Sequence, residues 1–327
     1  MIELTSLQYS QKDKRFFLEF ILRDKAYEGA LNLKIIDPVF NIVFYDVLMD
    51  INFGEEYWIA TQAPFSKVAE LQIFKDQKLI HKVKVNCLGE GNIDLSFLEK
   101  IPFIYKYKNY TLHSGVFLEL FIDNLYENHL VKVESGDVVV DIGANIGLFT
   151  NSVLKNNVSK IYCCEPSSKC FSLLQDVFKN DKQVSLHKYA ISDKNGTDKL
   201  SIISEYDDFF GANFIRSNPN YGTQSLMDEK DVSFEYVETI KFKDFISKNN
   251  IEKIDLLKVD CEGGEYYIFT DENKEYFKNN VKKIMMEYHG DSSVFIDFFD
   301  SVGFEYNFGC HDESLGMIFA KNKNFNA

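Results

Sequence analysis

The sequence predicts an α/β protein in two parts: a small all-β sandwich, then a larger domain with a mostly parallel, doubly wound sheet. Three observations predict it. The chain has 327 residues, about twice the ~150 of a typical domain. Its first 90 or so residues read as short strands at regular spacing, broken by Asp24, Gly29, Asp37-Pro38, Gly54 and Asp76-Gln77, a texture that suggests a sandwich. From Val131 onward strands alternate with helical patterns, and that order belongs to a parallel sheet with helices on its faces.

Composition narrows the class further. A hydrophobic fraction of 45%, with 26% charged and 15% aromatic residues, suits a globular protein with a real core and excludes disorder along its length. No apolar run approaches the ~18–20 residues that cross a bilayer. Met1 to Arg15 alternate polar and apolar residues without a basic segment leading into an apolar one, so no signal peptide is expected and a cytoplasmic location is. The net charge is −14, and the first 110 residues carry 14 Lys/Arg against 15 Asp/Glu, so the acidic excess belongs to the second part. Nucleic acid is not expected as a partner, because affinity for it depends on basic residues neutralising phosphates. None of the six cysteines forms a C-x-x-C pair, and free thiols are expected.

In chain order, strands are expected at Ile2–Tyr9, Arg15–Leu22, Ala30–Ile36, Asn41–Leu48, Tyr57–Thr61, Val68–Phe74 and Leu79–Val85. Phe16, Leu18, Phe20 and Leu22 alternate with the period of a strand buried on one face. Gly89-Glu90-Gly91-Asn92 is the best boundary signal. It sets a first domain at 1–95, a linker at 96–116 and a second domain at 117–327. In the second domain strands are expected at Asp137–Asp141, Lys160–Glu165, Val184–Ala190, Ile254–Asp260, Val281–Tyr288, Phe304–Gly309 and Gly316–Ala320. Helices are expected at Ile146–Leu154, Ser167–Asn180 and Asp291–Val302. Ser204–Glu238 reads as a polar, less regular insert.

Chemistry concentrates where strands end. Val138-Val139-Val140 runs into Asp141-Ile142-Gly143-Ala144-Asn145-Ile146-Gly147, a strand, a turn and a helix start. Gly143 permits backbone conformations denied to residues with a Cβ, and Asn145 tolerates the left-handed region. Open α/β sheets bind ligands at that end of the strands. The Gly143-x-x-x-Gly147 spacing is not the dinucleotide fingerprint, which disfavours a nicotinamide-dependent oxidoreductase. Glu165 closes the next strand 24 residues after Asp141, near the ~20-residue offset at which a carboxylate grips a ribose diol. Asp260 and Glu262 follow the apolar run Leu256 to Val259, and Glu287 and His289 close the following strand. Carboxylates beside an imidazole serve either as an acid–base set or as ligands of a divalent ion, so Asp260, Glu287 and His289 are candidates for both.

Four stretches together carry a resemblance: Asp141 to Gly147, Glu165-Pro166, Ala190-Ile191-Ser192-Asp193, and Leu256-Leu257-Lys258-Val259-Asp260-Cys261-Glu262-Gly263-Gly264-Glu265. From about Phe117 to Ala320 the chain resembles class I S-adenosylmethionine (SAM)-dependent methyltransferases, and within them the FkbM family. The resemblance implies a Rossmann-like, seven-stranded sheet and SAM as cofactor. Asp141, Gly143, Asn145 and Gly147 would surround its methionine part, Glu165 would hold the ribose and Asp193 would approach the adenine. Methyl transfer to a hydroxyl needs a base. His289 is the first candidate, oriented by Glu287 or Asp260, and Asp260 acting directly is the second. Glu262, with Asn213 and Arg216 from the insert, is expected to face substrate. The expected acceptor is a sugar hydroxyl in a glycan or surface polysaccharide. Amines, lipids and small metabolites stay open, as does a degenerate, glycan-binding protein with Trp58 as its sugar platform.

Overall fold

The computed structural model describes residues 2–10, 15–37, 42–62, 68–86, 112–113, 126, 128–203, 214–215, 232–311 and 315–326. The chain divides into two compact units, Met1–Gly115 and Val116–Ala327.

The first unit holds β1 (Ile2–Ser10), β2 (Arg15–Leu22), β3 (Gly29–Asp37), β4 (Ile42–Ile51), β5 (Glu56–Gln62), β6 (Val68–Lys75), β7 (Lys78–Asn86) and β8 (Leu112–His113). Each of the seven expected strands forms, within one to three residues at its ends. They make two sheets, β1-β2-β5 and β7-β6-β3-β4-β8. Phe20 and Leu22 of β2 join Leu31, Leu33 and Ile35 of β3, Ile51 of β4 and Leu71 and Ile73 of β6 in one buried cluster. At Phe20 and Leu22 the alternation that predicts a one-sided β2 thus has its cause in packing across the two sheets. Within the stretch expected as linker, β8 pairs in parallel with β4, Ile42 against Leu112. The side chain of Trp58 lies outside the described residues.

β6 and β7 meet through Asp76 and Gln77, whose φ angles are +50° and +64°. Two successive positive values are those of a type I′ hairpin turn, which matches strand twist but favours glycine at its second position. Gln77→Gly is therefore expected to raise stability by up to about 1 kcal/mol, read as a higher urea midpoint.

The second unit is built on β9 (Val138–Ile142), β10 (Lys160–Cys164), β11 (Val184–His187), β12 (Ala190–Ile191), β13 (Gly196–Ile203), β14 (Phe214–Ile215), β15 (Val232–Ile240), β16 (Ile254–Val259), β17 (Val281–His289), β18 (Phe304–His311) and β19 (Leu315–Asn322). Its helices are α1 (Leu148–Leu154), α2 (Ser168–Phe178), α3 (Phe242–Lys248), α4 (Lys274–Asn280) and α5 (Ser293–Val302). Seven strands form one sheet in the order β11-β10-β9-β16-β17-β19-β18. β11 to β17 run parallel, and β19 is antiparallel to both its neighbours. This is a Rossmann-like class I fold. The chain moves outward from β9 to β10 and β11, then returns to the other side of β9 as β16. That reversal is a topological switch point, and it opens a crevice at the carboxyl ends of β9 and β16.

The core beside that crevice is aromatic. Val140, Ile142, Leu257, Val259, Ile284 and Met286 from the central strands pack with Phe242, Phe245, Phe277, Phe295, Phe298 and Phe299 from α3, α4 and α5. Phe269 sits among four of these rings, at centroid distances of 5.3 to 5.6 Å, within the range of favourable edge-to-face contacts.

Two expectations need correction. Val184–Ala190 is not one strand. β11 ends at His187, the Tyr189 amide turns back to the His187 carbonyl, and Ala190–Ile191 enters a second sheet, β12-β15-β13-β14. Residues 232–238 of the expected insert belong to β15, paired along its length with β13. The pattern misleads because the apolar residues Phe234 and Tyr236 face solvent, 41% and 73% exposed, while Val237 and Thr239 are buried. α3 and α4, seven residues each, are too short to declare a helical period.

Candidate active site

At the switch point the Asp141–Gly147 stretch forms a turn instead of starting a helix at once. Gly143, Asn145 and Gly147 all take positive φ, +74°, +49° and +84°, and α1 begins only at Leu148. Asn145 is left-handed as its chemistry foretells. Gly143 has a further reason to lack a side chain, since a Cβ there would lie 1.6 Å from the Asp260 carbonyl oxygen. Gly147 faces away from the crevice, and a Cβ would meet Phe178 and Leu174 of α2 at 2.4 and 2.6 Å. Gly147→Ala is expected to cost about 1–3 kcal/mol of stability through packing and backbone strain, measured by denaturant unfolding, with little direct effect on ligand contacts.

The turn borders a small cleft of about 60 Å³ that opens to solvent. One wall is Gly143, Asn145, Glu165 and Pro166. A second is the less polar group Cys164, Cys170, Tyr189, Ile191 and Leu200. Asp260, Cys261 and Glu262 form the acidic end. Cys163, Cys164, Cys170 and Cys261 are free thiols.

Glu165 is buried and aimed by the backbone. Its Oε2 accepts from the Asn145 amide at 2.9 Å and its Oε1 from the Ser167 amide at 2.8 Å. Ser167 supplies no side-chain cap to α2, whose first amide, that of Ser168, donates to Glu235 Oε1 at 2.8 Å instead. Burial pushes the Glu165 carboxyl up to about 7, against the opposing pull of the Asn145 and Ser167 amides. Each oxygen keeps a lone pair for a hydroxyl donor.

Asp141 does not line the cavity. It is fully buried beneath the turn, where its Oδ2 accepts from the Thr150 hydroxyl at 2.6 Å and its Oδ1 lies 3.5 Å from the Lys258 ammonium. Burial raises its pKa, opposed by Lys258 and Thr150. Asp193 is not among the lining residues either; its Oδ1 accepts from the Ser192 hydroxyl at 3.1 Å. Asn213 and Arg216 lie outside the described residues.

At the acidic end, β16 stops at Val259 and the chain turns through Glu262, a non-glycine residue at φ +53°. Asp260 Oδ2 accepts from Lys258 Nζ at 3.3 Å and from the Tyr126 hydroxyl at 3.2 Å. His289 ends β17 between two carboxylates. Its Nε2 is 3.2 Å from Glu262 Oε2, and its Nδ1 is 3.3 Å from Glu265 Oε1. Two carboxylates facing the two ring nitrogens favour the protonated ring. Burial works against that charge, but the Glu265 bond and the charges of Glu262, Glu265 and Asp260 outweigh it and raise the ring to about 10. This corrects the expected arrangement. Glu262 and Glu265, rather than Glu287, face the two ring nitrogens of His289. Donor atoms of Asp260, Glu262 and His289 lie within 4.8 Å of one another, a set able to hold a divalent cation; Glu287 is not in it.

Glu265 escapes a reading of the sequence because nothing in Gly263-Gly264-Glu265 reveals that the carboxylate is wholly buried. Lys258 reads there as part of an apolar strand. Tyr189 carries no signal beyond its position after β11.

With the geometry in place, residues 141–306 match the family model for the methyltransferase FkbM domain. The chain is 26% identical over 168 residues to 31-O-demethyl-FK506 methyltransferase FkbM of Streptomyces tacrolimicus, covering 46% of this chain and 65% of that protein, so it spans just under two thirds of that relative. It is 26% identical over 197 residues to methyltransferase sdnD of Sordaria araneosa, covering 53% and 73%. Among solved structures, Aeropyrum pernix fibrillarin with bound SAM gives a TM-score of 0.33 at 12% identity over 58% of this chain and 68% of that one. A Streptococcus mutans putative methyltransferase in complex with SAH gives 0.36 at 10% identity over 62% and 96%. These structural likenesses are too weak to bear on function, whereas the sequence match covers half of the chain. The chain belongs to the FkbM methyltransferase family.

Proposed function

We propose that the protein is a SAM-dependent O-methyltransferase whose acceptor is a sugar hydroxyl of a glycan or surface polysaccharide. The observation that carries the cofactor reading is Glu165, a buried carboxylate with both oxygens fixed by amides of the turns that wall the cavity. The residues present fit such a ligand: a carboxylate for ribose hydroxyls, a less polar wall at Tyr189, Ile191 and Leu200 for a purine, and an acidic end for a positive charge. O-methylation is suggested by the name of the Streptomyces relative. The sugar is suggested by the all-β first unit.

When bound, SAM supplies a methyl group on a sulfonium, an electrophile strong enough to need no further activation. The protein's own residues then have three tasks. Glu165 receives the ribose hydroxyls and fixes the nucleoside. The rigid Gly143–Gly147 turn sets its distance from the acidic end, and such alignment can supply up to ~7–11 kcal/mol of a barrier. Asp260 accepts the acceptor's hydroxyl proton, the role assigned second to it from sequence and now first, because the carboxylates facing the His289 ring nitrogens favour its protonated form. His289 holds Glu262 and Glu265 in place as their counter-charge.

One pH dependence follows from Glu165. Its pKa is raised to about 7 in the free protein, and only the carboxylate accepts two hydroxyl protons. S-adenosylhomocysteine (SAH) affinity is thus expected to be constant above about pH 7 and to weaken about tenfold for each unit below it, read by calorimetry at several pH values. Flat affinity from pH 5 to 8 contradicts the role. A mass-shift screen of SAM with a glycan panel tests the acceptor, and methylation confined to non-sugar alcohols or amines contradicts the sugar.

A second reading is favoured by the grouping of Asp260, Glu262 and His289: a divalent cation there would bind the acceptor oxygen. Loss of turnover on chelation, restored by Mg²⁺ or Mn²⁺, supports it, and turnover indifferent to chelator removes it.

A further inference from the structure

Lys258 is an anomaly in its strand. All six residues of β16 are buried, the strand lies between β9 and β17, and the Lys258 side chain is 4% exposed. An ammonium is almost never placed so deeply unless it is paired. Here its ammonium donates to the Gly143 carbonyl at 2.8 Å and forms ion pairs with Asp260 Oδ2 at 3.3 Å and Asp141 Oδ1 at 3.5 Å, the last without a hydrogen bond. A buried ion pair is weak evidence for stability, because a well-packed apolar replacement is often as good. Its consequence is better sought in what it positions.

Two of these partners, Gly143 and Asp260, line the cavity, and Asp141 lies beneath it. Gly143 has no side chain by which the fold could grip it, so the turn is held through its backbone: its N–H to the Cys164 carbonyl at 3.0 Å and its carbonyl to Lys258. Asp260 is the first residue after β16, with its amide on the Ile142 carbonyl at 3.1 Å. Lys258 and Tyr126 both engage its Oδ2, which turns Oδ1 into the oxygen free to meet a ligand. The same ammonium therefore fixes the turn beside the nucleoside and the acid beside the acceptor.

We infer that Lys258 is a positioning residue that locks the Gly143 turn to Asp260, setting the separation between the cofactor and acceptor halves of one cavity. This rests on the function proposed above and names a residue that the site description alone leaves as a buried counter-charge. Asp141 serves in the same unit as the anchor that keeps the ammonium beneath the turn.

The test uses the full chain. Lys258→Met alone would strand two carboxylates, so the informative variant is Lys258→Met/Asp141→Asn, which removes one positive and one negative charge together. Lys258→Gln, which keeps N–H donors without the charge, gives the same reading if the double variant does not fold. Melting temperature, SAH affinity by calorimetry, and kcat and KM for the acceptor are measured on each. The expected result is a folded protein with SAH affinity reduced about tenfold or more, the effect of losing one charge-assisted hydrogen bond at the turn. In addition, Asp260→Asn is expected to lower kcat far less in this background than in the wild type, because an unheld Asp260 is already misplaced. A folded variant with SAH affinity and the Asp260→Asn effect both within about twofold of wild type would overturn the inference and leave Lys258 a structural counter-charge. Failure of the wild type itself to bind SAH would instead refute the proposed function, so the two failures are distinguishable.

Discussion

Glu165→Ala is expected to weaken SAH binding about 100-fold or more while leaving the protein folded. Two hydroxyl donors to one carboxylate make charge-assisted bonds worth roughly 1.5–3 kcal/mol each, and alanine removes both acceptors. It also removes the acceptor for the Asn145 and Ser167 amides, so the turn loses its brace along with the ligand's partner. Glu165→Gln separates these effects. It keeps one acceptor oxygen and the side-chain volume, and an intermediate loss of about tenfold is expected. Calorimetry on the three proteins checks the order. A Glu165→Ala affinity within a few-fold of wild type removes Glu165 from the ribose.

Asp260→Asn carries the other large effect, and it should fall on kcat. A positioned base contributes typically ~10²–10⁴-fold, and the amide cannot accept the hydroxyl proton usefully. The substituted side chain would still accept from Lys258 and Tyr126 through its carbonyl oxygen, so the cavity's shape should survive and SAH affinity should stay within a few-fold. Steady-state kinetics with an active acceptor, paired with calorimetry, reads both quantities. Turnover within tenfold of wild type would return the base role to another group, and retention of activity by His289→Ala would show that the imidazolium is not needed to hold Glu262 and Glu265.

What can be read from the sequence follows from which forces act locally. Strands of the first unit and of the central sheet announce themselves because burial imposes a period of two or a continuous apolar run, and Val138–Ile142 and Ile254–Val259 fall where that pattern puts them. Asn145 and Gly143 are legible because backbone strain leaves few residue choices. Glu165 is legible because a strand end followed by proline fixes its place. The acidic end is harder. Which carboxylate faces His289 depends on a turn after Val259 in which Glu262 takes a left-handed conformation, and no local preference of glutamate foretells that. With strand continuation assumed, Asp260 and Glu262 would share a face and Glu287 would be the partner of His289; the turn brings Glu262 and Glu265 to the ring instead. Asp141 and Gly147 shape the turn from behind, although the motif suggests contact with ligand, because sequence spacing marks a motif without saying which side of the chain its side chains take. Lys258 is the same problem inverted. A charge inside an apolar strand looks like noise until its partners, the Gly143 carbonyl and the carboxylates of Asp141 and Asp260, are seen together.

The most direct test is the structure of the full chain crystallised with SAH. The account requires the ribose hydroxyls within ~2.6–3.2 Å of the Glu165 oxygens, the purine against Tyr189 and Ile191, and the sulfur directed toward Asp260. A nucleoside seated anywhere else on the protein, or a Glu165 carboxylate that makes no contact with it, would contradict the account at its root.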